Sequence, residues 1–281
     1  MINTNNKILS DWLIASDIDG TLNNKFRHFP KRNYEAIQKF VKEYGGNFIL
    51  SSGRSVPSMR KHINKLNIDS PYAVFTNGAG VYDYKNKKTM WLCPIDTDLQ
   101  NTIISQINKF KGIGMLVITD SNAYILNYDI GCRAMAINNR FKVTHYRKAE
   151  DMPKENWCKV IFCGLPWRIK KFADDFKIAN GGLTTNLMNS SIVSFEVVSR
   201  DTNKGKAVLK AAELMGIDKS KTAAIGDYFN DYEMLKNVAL PACCGQAPDE
   251  MKKIAKLVTC HCNKGAVADL IEYIIANHNN L

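Results

Sequence analysis

The stretch WLIASDIDGT, residues 12–21, joins an apolar run to two aspartates and a glycine. The apolar residues predict a buried strand, and Asp17 and Asp19 follow at its C-terminal end. Because residues two apart in a strand point to the same face, the two carboxylates form a pair, and Gly20 lets the backbone turn. Open α/β sheets bind ligands beyond the carboxyl ends of their strands. Paired carboxylates there suit covalent phosphoryl transfer, in which one attacks and the other transfers a proton.

Length and composition indicate an ordinary globular protein. The chain has 281 residues, of which 45% are hydrophobic and 23% charged, so we expect one or two domains with a large core. No apolar run reaches the roughly 18 to 20 residues that cross a bilayer. Residues 1–10 are polar and do not resemble a signal peptide. We therefore expect a soluble, cytoplasmic protein with no membrane partner.

The net charge of +11 raises the question of a nucleic-acid partner. The lysines are scattered, however, and form no basic stripe interleaved with aromatic residues, which favours a solvated surface over a nucleic-acid interface. The same positive field would attract an anionic substrate. The eight cysteines include Cys243-Cys244 and Cys260-His261-Cys262, and neither cluster has the C-x-x-C spacing of a structural zinc site. We expect reduced and mostly buried thiols.

Strand and helix patterns alternate at both ends of the chain, which predicts right-handed βαβ units and a Rossmann-like parallel sheet of the α/β class. The predicted strands are residues 13–16, 47–51, 72–76, 222–225 and 257–259. The predicted helices are residues 32–44, 55–66, 204–215, 232–236, 248–256 and 266–276.

The middle of the chain has a different pattern, in which strands follow one another directly. We predict helices at 98–110 and 167–178, and strands at 115–118, 123–128, 159–163, 183–188 and 192–198. Neighbouring strands without an intervening helix indicate antiparallel hairpins. The sequence thus predicts a core of residues 1–83 and 200–281 and an inserted α+β module of residues 84–199.

Phosphate esters are anionic, so a carboxylate nucleophile needs cationic compensation. Two unit charges about 4 Å apart repel by about 4 kcal/mol at an effective dielectric constant of about 20. Lys204 begins a predicted helix, whose N-terminus already favours anions. Asp227, in GDYFND (residues 226–231), follows a predicted strand at the same sheet edge as Asp17. Two carboxylates with a backbone carbonyl and water are hard oxygen ligands suited to Mg²⁺.

The motif SSGR, residues 51–54, ends the second predicted strand. The Ser52 hydroxyl and the backbone N–H groups that follow it are suited to holding phosphate oxygens. Taken alone, a serine before a helix is usually an N-cap, and Asp-x-Asp-Gly also fits a turn or a calcium loop. The order of the motifs along the chain, each at a predicted strand end or helix start, favours phosphoryl transfer over these readings.

This order of motifs resembles the haloacid dehalogenase superfamily of phosphotransferases, in particular its Cof-like sugar-phosphatase branch with a large α/β cap. The resemblance covers most of the chain. It includes the further motifs TNGA (76–79), FEVV (195–198), GQAP (245–248) and GAV (265–267). It implies that the inserted module is a cap that determines substrate specificity and closes over the site.

The resemblance also implies a role for each motif residue. Asp17 would form the aspartyl-phosphate, and Asp19 would protonate the leaving oxygen and then activate water. Mg²⁺ would be held by Asp17, by the Asp19 backbone carbonyl and by Asp227, with Asp231 supporting the site from behind. The residues that would bind the phosphoryl group are Ser52, Gly53, Lys204 and Asn230. The residues proposed to contact the rest of the substrate are Arg54, Asn77 and Glu196.

Three positions depart from the usual pattern of this branch. Ser52 replaces a threonine and keeps the hydroxyl group. Tyr228 is bulkier than the usual small residue, and Gln246 replaces a frequent asparagine. We expect the last two to alter the shape of the substrate entrance without removing a catalytic group.

The resulting prediction is a Mg²⁺-dependent phosphatase that hydrolyses small phosphorylated metabolites of the sugar-phosphate type. An acid at position 19 favours rapid turnover over a persistent phosphoenzyme. Two alternatives stay open at this stage: a sugar phosphomutase with the same core, and a non-catalytic regulator that binds nucleic acid. The intact set of catalytic residues argues against the second alternative.

Overall fold

The computed structural model describes residues 8–24, 28–68, 72–127, 129–182 and 187–280. Most of the predicted polar lead-in, the end of the predicted strand 123–128 and most of the predicted strand 183–188 lie outside these ranges. The strands are β1 (Leu13–Ser16), β2 (Asn47–Ser51), β3 (Tyr72–Phe75), β4 (Gly80–Asp83), β5 (Lys88–Leu92), β6 (Ile113–Ile118), β7 (Ala123–Leu126), β8 (Val143–Tyr146), β9 (Lys159–Gly164), β10 (Leu187–Ser191), β11 (Ser194–Val198), β12 (Thr222–Gly226), β13 (Leu240–Cys243) and β14 (Leu257–Val258).

The helices alternate with these strands. They are α1 (Lys31–Gln38), α2 (Val56–Leu66), α3 (Thr97–Lys109), α4 (Ile130–Asn138), α5 (Pro166–Ala179), α6 (Lys204–Leu214), α7 (Tyr232–Asn237), α8 (Asp249–Ile254) and α9 (Ala266–Asn277). The predicted helix at 32–44 is divided, because α1 continues as a π-helical turn over Lys39–Glu43. Gly45, with a φ of 77°, then turns the chain towards β2.

One sheet has the strand order β14-β13-β12-β1-β2-β3-β4-β5. The strand β1 lies at its centre and pairs in parallel with β12 and β2, so that Leu13 is opposite Thr222 on one side and Asn47 on the other. All four residues of β1 are buried. This burial on both faces explains the uninterrupted apolar run, as expected for the centre of a parallel sheet. The predicted α/β class and parallel sheet are confirmed.

The second sheet has the order β10-β11-β9-β6-β7-β8 and is mainly antiparallel. Its pairs β6–β7 and β10–β11 are antiparallel, as the pattern of neighbouring strands predicts. The helix α5 packs against it, and the phenylalanine rings that fill this core lie 4.4 to 6.2 Å apart between centroids. These rings belong to Phe162, Phe172, Phe176 and Phe195.

Contacts between Cα atoms divide the chain into two compact units. The first contains the described residues up to Gly53, residues 60–91, and those from Asn203 onward; the second contains residues 54–59 and the described part of 92–202. The strand β5 belongs to the eight-stranded sheet, although residues 84–91 are predicted to lie in the insertion. The division of the chain into separate core and inserted domains stays a prediction.

Sequence patterns miss five elements: β4, β5, α4, β8 and β13. Pro241 lies within β13, and proline lacks the N–H group that a strand normally contributes. Gly131 lies in the first turn of α4, where it weakens helix propensity. Among the helices that the structure describes, none has the length and apolar character needed to cross a membrane.

Candidate active site

The first unit brings the predicted catalytic segments together at the carboxyl edge of its sheet. Asp17 follows β1, Ser52 follows β2, and Asp227 follows β12. These three strands are neighbours in the order β12-β1-β2 and run parallel. Their last residues therefore lie side by side, as expected for a ligand site in an open α/β sheet.

Lys204 lies between two carboxylates in this site. Its Nζ atom is 2.8 Å from Oδ1 of Asp17 and 2.6 Å from Oδ1 of Asp231. The side chains of Lys204 and Asp231 are fully buried, and that of Asp17 is 7% exposed. A buried ammonium group without a counterion would be very costly, and the two carboxylates provide the compensation. The positive charge is thereby held against the proposed nucleophile.

The start of α6 fixes the position of Lys204. The side chain of the N-cap residue, Asn203, accepts hydrogen bonds from the backbone N–H groups of Gly205 and Lys206, at 2.7 and 3.1 Å. Gly78 packs directly against this turn, because a Cβ atom there would lie 2.4 Å from the Asn203 carbonyl carbon. Gly78 also has a φ of 101°. Both the backbone angle and the space require glycine at this position.

Asp227 is held by the loop that follows β1. The hydroxyl of Thr21 donates to Oδ1 of Asp227 at 3.2 Å. Gly20, with a φ of 88°, lies so close that a Cβ atom would be 2.4 Å from Oδ2 of Asp227. The glycine of the DIDG motif therefore makes room for the second carboxylate as well as turning the chain.

Gln246 connects the loop after β1 to the C-terminal part of the chain. Its Nε2 donates to the carbonyl of Gly20 at 2.6 Å, and its Oε1 accepts from the backbone N–H of Cys262 at 2.9 Å. A contact with Asp227 also contributes to the electrostatics of that carboxylate. These contacts hold the Gly20 loop beside Asp227, and an effect of Gln246 on the substrate entrance stays a prediction.

Asp231 supports the site through both of its carboxylate oxygens. Oδ1 accepts from Lys204, and Oδ2 accepts from the backbone N–H groups of Asp227 and Tyr228 at 3.0 and 3.4 Å. A Cβ atom on Gly226 would lie 2.4 Å from the Cβ of Asp231, so only glycine allows this close approach. These bonds orient the Asp227 loop, and a role of Asp231 behind metal ligands stays a prediction.

The three carboxylates form a group that could hold a divalent cation. One oxygen each from Asp17, Asp227 and Asp231 lies within 4.8 Å of the others. An all-oxygen donor set of this kind suits Mg²⁺. Since the oxygens of Asp231 already accept three hydrogen bonds, Asp17 and Asp227 are the better candidates for direct ligation.

Burial shifts the protonation of this group. Burial raises the pKa of Asp17 to about 7; the charge of Lys204 opposes this increase, and the smaller effects of the Asp231 and Asp227 charges add to it. Burial and the charge of Asp231 raise the pKa of Asp227 to about 6. For Lys204, burial alone would lower the pKa, but Asp17 and Asp231 outweigh it, so the ammonium stays charged. A bound cation would favour the ionised carboxylates.

Other predicted residues of the first unit occupy different environments. The side chains of Asp19 and Asn230 are exposed, whereas Ser52 is 2% exposed. The backbone of Ser52 is fixed on both sides: its N–H donates to Val74 at 3.0 Å, and its carbonyl accepts from Asn77 at 2.9 Å. Gly53 lies beside the Asn77 side chain, whose Oδ1 would be 2.9 Å from an added Cβ. Asn77 itself adopts a φ of 57°.

Arg54 and Glu196, two of the predicted substrate residues, belong to the second unit. The Oε2 atom of Glu196 is 2.9 Å from Nζ of Lys159, and both side chains are nearly buried. Lys159 is not among the predicted site residues. The residue pattern of its strand does not indicate that the Lys159 charge is paired with Glu196 on the neighbouring strand.

Comparisons with known proteins identify the family of the chain. The model of the haloacid dehalogenase-like hydrolase family matches residues 14–271. The curated "Putative phosphatase M6_Spy0533" of Streptococcus pyogenes serotype M6 is 27% identical over 278 residues, covering 94% of this chain and 98% of that protein. The "5-amino-6-(5-phospho-D-ribitylamino)uracil phosphatase YcsE" of Bacillus subtilis is 26% identical over 247 residues, covering 88% and 89%.

Solved structures show the same fold. TM0651 from Thermotoga maritima has a TM-score of 0.82 at 20% identity, covering 94% of this chain and 97% of that one. The HAD subclass IIB sugar phosphatase BT4131 has a TM-score of 0.72 at 16% identity, covering 94% and 98%. At these identities the likeness concerns the fold alone.

Proposed function

Because the chain belongs to the haloacid dehalogenase-like hydrolases and matches their phosphatase members along its length, we propose that it is a Mg²⁺-dependent phosphatase of small phosphorylated metabolites. The observation that carries this proposal is the buried ammonium of Lys204, held 2.8 Å from Asp17. It supplies the positive charge that an anionic substrate needs beside a carboxylate nucleophile.

In the proposed first step, a carboxylate oxygen of Asp17 attacks phosphorus while the bond to the leaving oxygen breaks. Asp19 gives its proton to that oxygen, and the products are an alcohol and an aspartyl-phosphate. In the second step, Asp19 takes a proton from water and the water oxygen attacks phosphorus. The bond between phosphorus and the Asp17 oxygen breaks, which frees the carboxylate and releases inorganic phosphate. The exposed position of Asp19 allows it to exchange protons with solvent between turnovers.

When bound, Mg²⁺ would neutralise charge on the phosphoryl oxygens, held by Asp17, the Asp19 backbone carbonyl and Asp227. Lys204 would hold the same oxygens from within the core, with Ser52, Gly53 and Asn230 completing the phosphate site. Asp231 would keep Lys204 charged and hold the Asp227 loop in place. The positive charges of Lys204 and of a bound Mg²⁺ would favour the ionised form of the proposed nucleophile, whose pKa burial raises.

We further propose that the substrates are sugar phosphates or similar metabolites, and that the second unit selects among them as a cap. The descriptions of two similar proteins support this substrate class: one relative is a phosphatase of a phosphoribitylamino compound, and one structural neighbour is a sugar phosphatase. The proposed specificity residues are Arg54, Asn77 and Glu196. Since Glu196 is paired with Lys159, the two are proposed to act together in binding polar groups of the substrate.

The test is phosphate release from a panel of phosphorylated metabolites, measured with Mg²⁺ and again with excess chelator. We expect turnover of some sugar phosphates, loss of activity with the chelator, and no turnover by Asp17→Asn, whose amide is a poor nucleophile. Asp249→Asn serves as the matched control, because its side chain is 87% exposed. Wild-type rates in Asp17→Asn would disprove the nucleophile assignment.

The same panel separates the alternatives. With a hexose 1-phosphate, a phosphatase releases inorganic phosphate, whereas a mutase forms the 6-phosphate isomer; phosphorus NMR distinguishes these products. Absence of both products across the panel, together with salt-dependent DNA binding that persists in Asp17→Asn, would contradict the proposal and support a nucleic-acid-binding role.

A further inference from the structure

The second unit contains a group of side chains that the phosphatase chemistry does not use. One oxygen of Asp129 and the sulfur atoms of Cys132 and Cys163 lie within 4.8 Å of one another. Both cysteines are buried, with exposed fractions of 0% and 3%, and Asp129 is half-buried. We call these three residues the thiol cluster. Its cysteines are far apart in sequence and lack C-x-x-C spacing, so the sequence pattern does not indicate the cluster.

Two elements position the thiol cluster. Asp129 is the N-cap of α4, and its Oδ1 accepts a hydrogen bond of 2.9 Å from the backbone N–H of Cys132. Cys132 therefore lies in the first turn of the helix, where the dipole favours negative charge on sulfur. Cys163 lies in β9, opposite Gly114 of β6 in the antiparallel register. The thiol cluster is thus supported by a helix N-terminus and by a strand inside the sheet.

Two glycines leave room for the thiol cluster. A Cβ atom on Gly114 would lie 2.3 Å from the Cβ of Asp129 and 2.9 Å from the sulfur of Cys132. A Cβ atom on Gly131 would lie 3.0 Å from both Oδ1 of Asp129 and the Cβ of Cys163. Neither glycine has a positive φ, so the backbone does not demand glycine at either position. What the two glycines provide is space in which the three donors meet.

We propose that the thiol cluster binds Zn²⁺ or a similar thiophilic divalent cation through the two cysteine sulfurs and a carboxylate oxygen of Asp129. Two sulfurs and an oxygen are a donor set typical of zinc, which prefers four ligands in a tetrahedron. Donors around one zinc ion are roughly 3 to 4 Å apart, so small side-chain rotations would close the observed separation. Water would take the fourth position on the half-buried side of Asp129.

Binding would exchange protons for the metal. Without a metal, a hydrogen bond to Cys163 and burial raise the pKa of the Cys132 thiol. Because zinc binds thiolates, its binding replaces the thiol protons with two metal–sulfur bonds and changes no oxidation state. Affinity should consequently rise with pH. This site differs in chemistry from the carboxylate group of the first unit, which offers only oxygen ligands.

Cobalt substitution provides the test, because Co²⁺ bound to thiolates gives a sulfur-to-metal charge-transfer band in the near ultraviolet, and oxygen ligands do not. The full chain, reduced and stripped of metal, is titrated with Co²⁺ and then with Zn²⁺. We expect the intensity of the band to increase until one equivalent of Co²⁺ has been added, and the band to disappear when Zn²⁺ displaces Co²⁺. Cys132→Ser and Cys163→Ser should each weaken the band by about half. Each should also reduce the affinity for Co²⁺ by more than about 100-fold, which exceeds the loss typical of a residue that only hydrogen-bonds to a metal ligand.

Two further variants make the result specific. Asp129→Asn keeps a good helix cap but replaces the charged ligand, so we expect the band with reduced affinity. Cys158→Ser is the matched control, since Cys158 is also buried in the second unit but lies outside the thiol cluster. It should keep the full band. No charge-transfer band in the wild type, a band of undiminished intensity in Cys132→Ser, or a Cys132–Cys163 disulfide that resists reduction would each overturn the proposal. None of these results depends on phosphatase activity.

Discussion

Lys204 donates a hydrogen bond of 2.8 Å to Oδ1 of Asp17, although 187 residues separate them in sequence. The same ammonium donates to Asp231, so one buried cation holds Asp17, which follows β1, and the loop after β12 together. The contact therefore contributes both to the stability of the fold and to the proposed chemistry. It stabilises the fold by neutralising buried carboxylates, and it places positive charge where a phosphoryl group would bind.

Replacing Lys204 should affect stability as well as activity. In Lys204→Met, Asp17 and Asp231 lose their buried partner, and breaking such a pair costs about 3 kcal/mol or more. We expect a lower free energy of unfolding in urea and loss of phosphate release. Lys206→Met, two residues along α6 and exposed, is the control and should change neither quantity appreciably. Equal unfolding midpoints for the two variants would show that the Lys204 pairs contribute little to stability.

Mg²⁺ should stabilise the protein more strongly as the pH rises. Without metal, the pKa of Asp17 is about 7 and that of Asp227 about 6, both raised above the unfolded value of 3.8. Their stabilising contribution is therefore fully present below about pH 4 and is lost as the pH rises through about 6 to 7. Ionised carboxylates bind Mg²⁺, so the increase in melting temperature caused by saturating MgCl₂ should be larger at about pH 8 than at about pH 5.5.

The control for this experiment is Asp227→Asn, which should show a much smaller increase at either pH. An increase independent of pH in the wild type would mean that proton release from these carboxylates does not accompany metal binding.

Removing the Gln246 side chain should weaken Mg²⁺ binding. Gln246→Ala loses the bonds to Gly20 and Cys262, and partners of this kind typically affect metal affinity about 10- to 100-fold. We expect the Mg²⁺ concentration for half-maximal rate to rise by about that factor, with a smaller change in the rate at saturating Mg²⁺. Gln100→Ala, which loses two hydrogen bonds from its side-chain amide to backbone carbonyls in the second unit, should leave this Mg²⁺ concentration unchanged.

Asp19→Asn should separate catalysis from stability. The side chain is exposed, so the free energy of unfolding should change by less than about 0.5 kcal/mol. Loss of a general acid–base group should slow turnover by about 10²- to 10⁴-fold. Steady-state kinetics and urea unfolding on the same preparation check both points. A rate within a few-fold of the wild type would exclude the proposed proton transfer.

Gly78→Ala should destabilise the first unit more than Gly216→Ala does. Both glycines have positive φ, at 101° and 69°, so each alanine incurs backbone strain of about 1–2 kcal/mol. At Gly216, however, an added Cβ meets nothing within 4 Å, whereas at Gly78 it strikes the backbone of Asn203. We expect Gly78→Ala to be the less stable variant and to lose activity through displacement of Lys204. Equal unfolding free energies would contradict the close approach.

Much of the core follows from local sequence patterns. The strands β1 and β2 have the predicted bounds, because a short apolar run closed by polar or glycine residues marks both ends of a buried strand. The edge strand β5 and the short strand β13 escaped prediction, since their residues lack that contrast and β13 contains Pro241. The convergence of Asp17 and Asp227 was predictable once both were placed after parallel strands.

The sequence by itself determined the family, the parallel sheet and the order in which the catalytic motifs follow its strands, because these depend on periodicity and motifs within short segments. Only the tertiary structure decided which carboxylates share Lys204, that Gln246 holds the Gly20 loop, and that Cys132 and Cys163 meet beside Asp129. The physical reason is that such contacts depend on the order of strands in a sheet and on side-chain directions set by packing. Local patterns contain neither.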